Sequence, residues 1–227
     1  MKETVEKRFK QPELFTLAES TGNVELFPAV WSAAEDLTTA SLELRRDALD
    51  RLLQLNAPRF SPLIAYLLHT RITEPDLGLR KEIIQALSDI LTPDDEGNPS
   101  PEDVRASLRY HLSRMRTRQI FSLLQVLVED PRMETAVARL LNACPYAGLH
   151  LADILADHTA PFEVRVQAVR MIGVVGYLDA LPALERQEAR LEARYNGQRA
   201  MPFAPPASNE VDLLPEIHRA QALLRSS

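Results

Sequence analysis

The chain has 227 residues, of which 45% are hydrophobic and only 6% are aromatic, and its formal net charge is −6. An apolar fraction of this size supports a sizeable core and excludes a disordered chain, while the acidic balance argues against general affinity for nucleic acid or anionic membranes. The single cysteine, Cys144, excludes an intrachain disulfide and a cysteine-based metal cage, and we expect it to be a small buried apolar side chain.

The first 40 residues precede the periodic part of the chain. They contain "ELFTLAES" and "VELFPAVWSAAEDL" around a turn at residues 21–23, and we predict two N-terminal capping helices there. Trp31 is expected to anchor this cap through its large apolar area. The charged N-terminus lacks the apolar region of a secretory signal, and no apolar run reaches the roughly 18 residues of a membrane span, so we predict a cytoplasmic protein without membrane segments.

The stretch "PFEVRVQAVRMIGVVG" (161–176) predicts an amphipathic helix. Pro161 fits a first helical turn, where its missing N–H costs little. Gly173 permits close packing, and Gly176 permits a left-handed end. A second helical stretch, "YLDALPALERQEARLEARY", follows, so the two are expected to form an antiparallel pair. Apolar residues recur in the first helix at intervals of three and four, so they lie on one face of the helix and form an apolar stripe that we expect to be buried. They are Val164, Ala168, Ile172 and Val175.

The same pattern recurs earlier in the chain. Subtracting 120 from the residue numbers of this pair superimposes it on residues 43–69, so that Arg45 and Pro62 correspond to Arg165 and Pro182. Further matches occur at "LGLRKEIIQALSDIL", at "PEDVRASLRYHLSRM" and, more weakly, at "METAVARLLNACPYAGLHLADIL". A period of about 30 to 35 residues with two helices per unit is typical of an α-solenoid, in which each pair buries its stripe against its neighbours.

The segment "EVRVQAVRMIGVVGYLDALPALE" resembles a HEAT repeat, in the short form found in bacterial and phycobilisome-lyase-like proteins. Such repeats typically contain Glu-Val-Arg, an Ala, Leu/Ile-Gly, a second Gly and then Ala-Val/Leu-Pro-Ala-Leu. The resemblance implies an all-α fold, a right-handed α-solenoid (α-α superhelix) of stacked antiparallel helix pairs. The residues that carry it are Glu163, Val164, Arg165, Ala168, Ile172, Gly173, Gly176, Ala180, Leu181, Pro182, Ala183 and Leu184.

We therefore predict a single α-solenoid domain over residues 1–227. "TPDDEGNPSPED" stands where a returning helix is expected, and "NGQRAMPFAPPASNE" is rich in Pro and small polar residues, so both indicate loops. "VDLLPEIHRAQALL" predicts a last amphipathic helix that could close the end of the solenoid or dock on another protein. The predicted parts are N-terminal capping helices (1–40), HEAT-like repeats (41–196) with an irregular loop (92–101), a Pro-rich loop (197–210) and a C-terminal capping helix (211–225).

One arginine recurs in the repeat: it is Arg45, Arg80 and Arg165 in three units. A residue that recurs once per stacked unit more often makes an inter-repeat hydrogen bond or ion pair than a functional contact. We therefore predict a structural role for these arginines and for the other residues that recur or shape the turns, which are Pro62, Pro182, Gly173 and Gly176.

Metal and catalytic motifs are not prominent. HEAT-repeat hydroxylases bind iron through His-Glu dipeptides, and this chain contains none. His150, Asp153 and Asp157 fall near one helical face, with His158 just beyond, and imidazole with carboxylates can ligate a divalent metal. Because no ligand from a second segment is identifiable, a solvated helix end is the favoured interpretation. With no nucleophile elbow, P-loop or Rossmann glycine cluster either, we predict no cofactor, no metal and no enzymatic activity.

The basic run "RASLRYHLSRMRTRQ" is the main candidate for a binding surface. We expect Arg105 and Arg109 to share one helical face, and Arg114 and Arg118 another. Arginine binds carboxylate and phosphate bidentately, so the run could dock an acidic protein or a nucleic-acid backbone, although a solvated face is the simpler interpretation. The candidate partner-binding residues are Arg105, Arg109, Arg114, Arg116 and Arg118.

The sequence favours a non-enzymatic protein–protein interaction scaffold that binds a client protein on a solenoid surface. The resemblance implies an alternative, an accessory or chaperone-like factor for attaching bilin chromophores, which the low aromatic content disfavours. Nucleic-acid binding through residues 105–118 is a third hypothesis, disfavoured by the net negative charge. The identity of the client and the oligomeric state are left open.

Overall fold

The computed structural model describes residues 27–199 and 212–226. In this part of the chain the predicted all-α fold is confirmed, since every regular element is a helix and there is no strand. Short 3₁₀ helices at Pro131–Met133 and Leu178–Ala180 precede two of the α-helices. The α-helices are α1 (Pro28–Asp36), α2 (Leu42–Gln54), α3 (Ala57–Phe60), α4 (Pro62–Thr70), α5 (Leu77–Ile90), α6 (Glu102–Leu112), α7 (Thr117–Glu129), α8 (Glu134–Asn142), α9 (Ala147–Ala156), α10 (Phe162–Val175), α11 (Leu181–Arg199) and α12 (Leu214–Ser226).

Local sequence signals set where several helices begin. The side-chain oxygens of Ser61 and Asp76 accept hydrogen bonds from the backbone N–H three residues on, at 3.0 and 2.8 Å, which caps α4 and α5. Pro62 is the first residue of α4 and Pro182 the second of α11, where a missing N–H leaves no hydrogen bond unmade. These starts therefore follow from residue chemistry that is local to each helix.

One apolar core runs through the described helices and contains all of their buried apolar side chains, including Cys144, whose predicted burial is confirmed. Helices α2, α5, α8, α10 and α12 contact one another in that order. A second set of contacts joins α4 to α6, α7 to α9, and α9 to α11. None of these helices combines the length and apolar character that crossing a lipid bilayer requires.

Helix α6 does not take the place that the repeat alignment gives it. The alignment equates "PEDVRASLRYHLSRM" with the first helices of the other pairs, but α6 packs on α4, the second helix of an earlier pair. Residues 91–101 carry no helix, so the chain crosses over in this loop and returns on the α4 side. The Arg59 side chain stabilises this loop, because its Nη1 donates to the backbone carbonyl of Asp89 and its Nη2 to that of Asn98, both at 3.0 Å.

The prediction that Trp31 anchors an N-terminal cap is wrong. Its side chain is 54% exposed, while Val30 and Ala33 are buried and α1 packs on α2. The helical phase set by these smaller residues turns Trp31 away from the core. The other predicted capping helix, in "ELFTLAES", lies outside the described residues.

The C-terminal helix α12 packs on α10 and α11 of its own chain. Gly173 lies at this contact, and a Cβ built on it would stand 2.8 Å from the Cα of Ala220. The backbones of α10 and α12 therefore approach more closely than any other residue at position 173 allows. Three residues later Gly176 ends α10 with a φ of 88°, the left-handed conformation that favours glycine.

We expect Gly173→Ala to lower the free energy of unfolding by about 1–3 kcal/mol, because the added methyl group must push α12 away from α10. Denaturant unfolding followed by circular dichroism measures the change. Gly78→Ala, also within a helix, is the matched control, since its Cβ would meet only the ends of the Asp76 and Arg46 side chains. Equal stability of the two variants would contradict the close helix approach.

Candidate functional site

A groove of about 570 Å³ opens between the turn that joins α6 to α7 and the start of α9. It brings together two stretches that the sequence singles out separately, the basic run and the His-Asp cluster. We call it the arginine groove. Its lining residues are Ser113, Arg114, Met115, Arg116, Tyr146, Leu149, His150 and Asp153.

The basic run does not form one helix. Helix α6 ends at Leu112 and α7 begins at Thr117, so Arg114 and Arg116 lie in the turn and Arg118 lies on α7. The prediction that Arg114 and Arg118 share a helical face is therefore wrong. The chain must turn here because α6 packs on α4, whereas α7 packs on α5, α9 and α10.

The first two arginines of the run are neutralised within α6. Arg105 forms an ion pair with Glu102 one turn earlier, and Arg109 Nη1 lies 3.7 Å from the same carboxylate. Glu102 is at the N-terminal end of the helix, where a negative charge is also favoured by the helix dipole. Arg105 and Arg109 therefore present less free positive charge than the sequence suggests.

The last three arginines of the run differ in that respect. Arg114, Arg116 and Arg118 are exposed, and no carboxylate of the described residues lies in ion-pair distance of them. The Arg114 guanidinium lies 4.1 Å from the centroid of the Tyr110 ring, a cation–π contact that leaves its N–H donors available. This cluster is a concentrated, unneutralised positive charge in a chain that is acidic overall.

Beside these arginines the groove offers apolar surface. Tyr146 is 63% exposed and Leu149 is 50% exposed, and both line the groove. Large apolar side chains at this exposure, next to unpaired cations, form a surface of mixed character. A ligand with both carboxylates and apolar side chains would match it.

The structure does not bring together the His-Asp set considered as a metal site. His150 Nδ1 lies 2.9 Å from Thr117 Oγ1, which joins α9 to the start of α7. Asp157 follows the end of α9, where its carboxylate accepts hydrogen bonds from the side chain and backbone of Thr159 at 2.7 and 2.8 Å, and these hydrogen bonds lower its pKa. Within the described residues, His150, Asp153 and Asp157 do not converge on one point.

A second hollow, of about 380 Å³, is lined by Thr117, the residue that follows Arg116 of the arginine groove in the chain. It is lined in part by Arg118 and Phe121 of α7 and by Arg80 of α5. The unneutralised arginines are thus divided between two neighbouring hollows, with Arg114 and Arg116 in one and Arg118 in the other.

The arginines that recur in the repeat are buried. Arg45, Arg80 and Arg165 are 9%, 8% and 2% exposed. Each donates to a main-chain carbonyl five to ten residues earlier, at distances of 2.6 to 3.0 Å. Burial of a guanidinium is costly unless it is hydrogen-bonded, and these contacts offset part of that cost for each of the three side chains. None of the three lines the arginine groove, and Arg80 lines the second hollow with Arg118.

Glu74 is a buried charge that sequence reasoning did not identify. Its side chain is 1% exposed, and its carboxylate accepts a hydrogen bond from Arg45 Nη2 at 2.7 Å. Its backbone carbonyl accepts from Arg80 Nε at 2.6 Å, so one residue joins two successive buried arginines. The signal in the sequence is an acidic residue in the turn just before the Leu-Arg pair of α5.

Two histidines, 42 positions apart in the sequence, meet between α4 and α6. His69 is 8% exposed, and its ring centroid lies 5.6 Å from that of His111, which in turn contacts Tyr66 at 4.5 Å. Neither ring nitrogen of His69 has a hydrogen-bond partner among the described residues. Burial, together with the charge of His111, lowers the pKa of His69 to about 4, so this imidazole is neutral near pH 7.

Comparisons with models of protein families, with curated proteins and with solved structures found no match to this chain. Its class is defined by its own geometry: in the described residues it is an all-helical protein with a basic groove beside exposed apolar side chains. Its function therefore has to be inferred from the chemistry of that groove.

Proposed function

We propose that this chain is a non-enzymatic interaction scaffold, a right-handed α-solenoid of HEAT-like repeats that binds an acidic segment of a client protein in the arginine groove. The contacts of α2, α5, α8, α10 and α12 in chain order support the stacked arrangement. The recurrence of a buried arginine in three of the units supports the repeat. A stack of helix pairs provides an extended surface that binds by shape and charge, without chemistry.

The observation that carries the proposal is the unneutralised charge of Arg114 and Arg116 beside Tyr146 and Leu149. Guanidinium groups bind carboxylates through two parallel hydrogen bonds, and these are stronger than neutral ones. Tyrosine provides a rigid apolar face with a polar edge, which suits a side chain laid across it. Asp153, at the α9 side of the groove, repels a carboxylate and so restricts the direction in which an acidic segment lies.

An acidic protein segment fits this surface better than a nucleic acid does. A phosphate backbone meets the arginines through charge alone, and the net charge of −6 and Asp153 oppose it as they oppose any anion. A peptide can place carboxylates at the arginines and apolar side chains at Tyr146 and Leu149. The charge and the apolar surface of the groove are then both used.

The expected result is that Arg114→Glu/Arg116→Glu weakens binding of an acidic peptide by at least about tenfold, since two charge-assisted contacts become repulsive. The probe is a fluorescein-labelled peptide of alternating glutamate and leucine, and fluorescence anisotropy gives its Kd. Arg186→Glu/Arg225→Glu changes the net charge equally at exposed positions on α11 and α12, and serves as the matched control.

Equal loss of affinity in the two double variants would mean that the peptide senses only net charge, and the groove proposal would be wrong. A labelled single-stranded DNA is titrated alongside. Tighter binding of the DNA than of the peptide would indicate that the groove binds a nucleic acid and not a client protein. A loss of affinity for the peptide in Arg114→Glu/Arg116→Glu, but not in the control variant, supports the proposal.

A further inference from the structure

Three potential metal ligands converge where α12 packs on α11, away from the arginine groove. Glu188 and Glu192 are one helical turn apart on α11, so their carboxylates lie on one face, and His218 comes from α12. One ligand atom from each of the three lies within 4.8 Å of the others. His218 Nε2 is already 2.8 Å from Glu188 Oε1.

These distances are close to those of a metal site. Ligand atoms bound to one Zn²⁺ at about 2.0–2.2 Å in a tetrahedron are about 3.4 Å from one another. The convergence is therefore within reach of small side-chain rotations. Glu192 and His218 are exposed and Glu188 is partly exposed, so a cation can approach from solvent.

The ligand set selects the kind of ion. An imidazole nitrogen with two carboxylates suits Zn²⁺ and related divalent transition metals, whereas Ca²⁺ and Mg²⁺ prefer oxygen ligands alone and in larger number. Three protein ligands leave at least one coordination position for water.

A buried side chain orients one of these ligands. Gln221 on α12 is 4% exposed, and its Nε2 donates to Glu188 Oε2 at 2.7 Å. That hydrogen bond fixes the carboxylate and leaves its other oxygen facing His218. Outer contacts of this kind are typical of metal-ligating carboxylates and distinguish this cluster from scattered surface acids.

From this geometry we propose that Glu188, Glu192 and His218 bind a divalent transition-metal ion, Zn²⁺ in particular, which fastens α12 to α11. The ligands come from both helices, so the complete site exists only when α12 is docked. Metal binding therefore stabilises the docked helix, in addition to the close contact of Gly173 with Ala220. The proposal is independent of the function of the arginine groove.

The test is titration of EDTA-treated protein with ZnCl₂ by isothermal titration calorimetry, together with the midpoint of thermal unfolding with and without zinc. We expect one ion per chain and a higher midpoint with zinc. His218→Ala and Glu192→Gln should each weaken binding by at least about tenfold, and Gln221→Leu by about tenfold through the outer contact. Glu185→Gln on α11 and His158→Ala are the controls and should bind zinc as the parent protein does.

The two substituted ligands, Glu192 and His218, are exposed, so these variants should fold, and circular dichroism checks this for all three variants. Absence of both heat and thermal shift at zinc concentrations well above that of the protein would overturn the proposal. Zinc binding that survives His218→Ala would also overturn it, since the ion would then lie elsewhere. Equal affinity for MgCl₂ would contradict the inferred ligand preference.

Discussion

Glu74→Ala is expected to lower the free energy of unfolding by about 3–5 kcal/mol, the largest effect that we predict for this chain. The substitution leaves the Arg45 guanidinium, which is almost fully buried, without the carboxylate that lies 2.7 Å from it. An uncompensated charge in the core is more costly than the loss of the same pair from the surface. Urea denaturation followed by circular dichroism measures the loss.

Two further variants separate this cause from simple loss of contacts. Arg45→Met/Glu74→Leu removes both charges together and should destabilise the protein less than Glu74→Ala does. Glu102→Ala removes an exposed carboxylate that pairs with Arg105 and Arg109, and it should change the stability by less than about 1 kcal/mol. If Glu74→Ala is no worse than Glu102→Ala, the buried pair does not have the role that its geometry indicates.

The helices were predictable because their signals are local. The apolar spacing in residues 161–176, the position of Pro62 and the left-handed glycine at Gly176 each depend on a few neighbouring residues, and the structure contains the corresponding features. Helix α6 shows the limit of this reasoning. Its apolar phase fits a first helix of a pair as well as a second one, and the path of residues 91–101 brings it against α4.

The sites depend on contacts between distant segments, and that is why the sequence alone did not yield them. Arg116 and Tyr146 line one groove although 30 positions separate them. Glu188 and His218 are likewise 30 positions apart and belong to different helices. The arginines could be found as a basic run, but Arg114 and Arg118 were expected on one helical face, whereas a turn follows Leu112 and a new helix begins at Thr117.

Acidification is expected to destabilise the protein by about 3 kcal/mol between pH 6.5 and pH 4 through His69 alone. In the unfolded chain its pKa is about 6.5, whereas burial lowers it in the folded protein to about 4. Well above pH 6.5 the residue is neutral in both states and has no effect on the pH dependence of stability. Below that pH the unfolded state binds a proton that the folded state resists, so the free energy of unfolding falls by about 1.4 kcal/mol per pH unit until pH 4.

Replacement of His69 by phenylalanine isolates this contribution. Phenylalanine keeps a ring against His111 but cannot bind a proton. In this pH window the unfolding free energy of the variant should therefore fall less steeply than that of the parent protein, by about 1.4 kcal/mol per pH unit. The pKa of His111 is also lowered, by burial and by the charge of Arg114, and the part of the slope that remains in His69→Phe includes that residue. If His69→Phe and the parent protein lose stability in parallel from pH 6.5 to pH 4, the imidazole of His69 is not held neutral between α4 and α6.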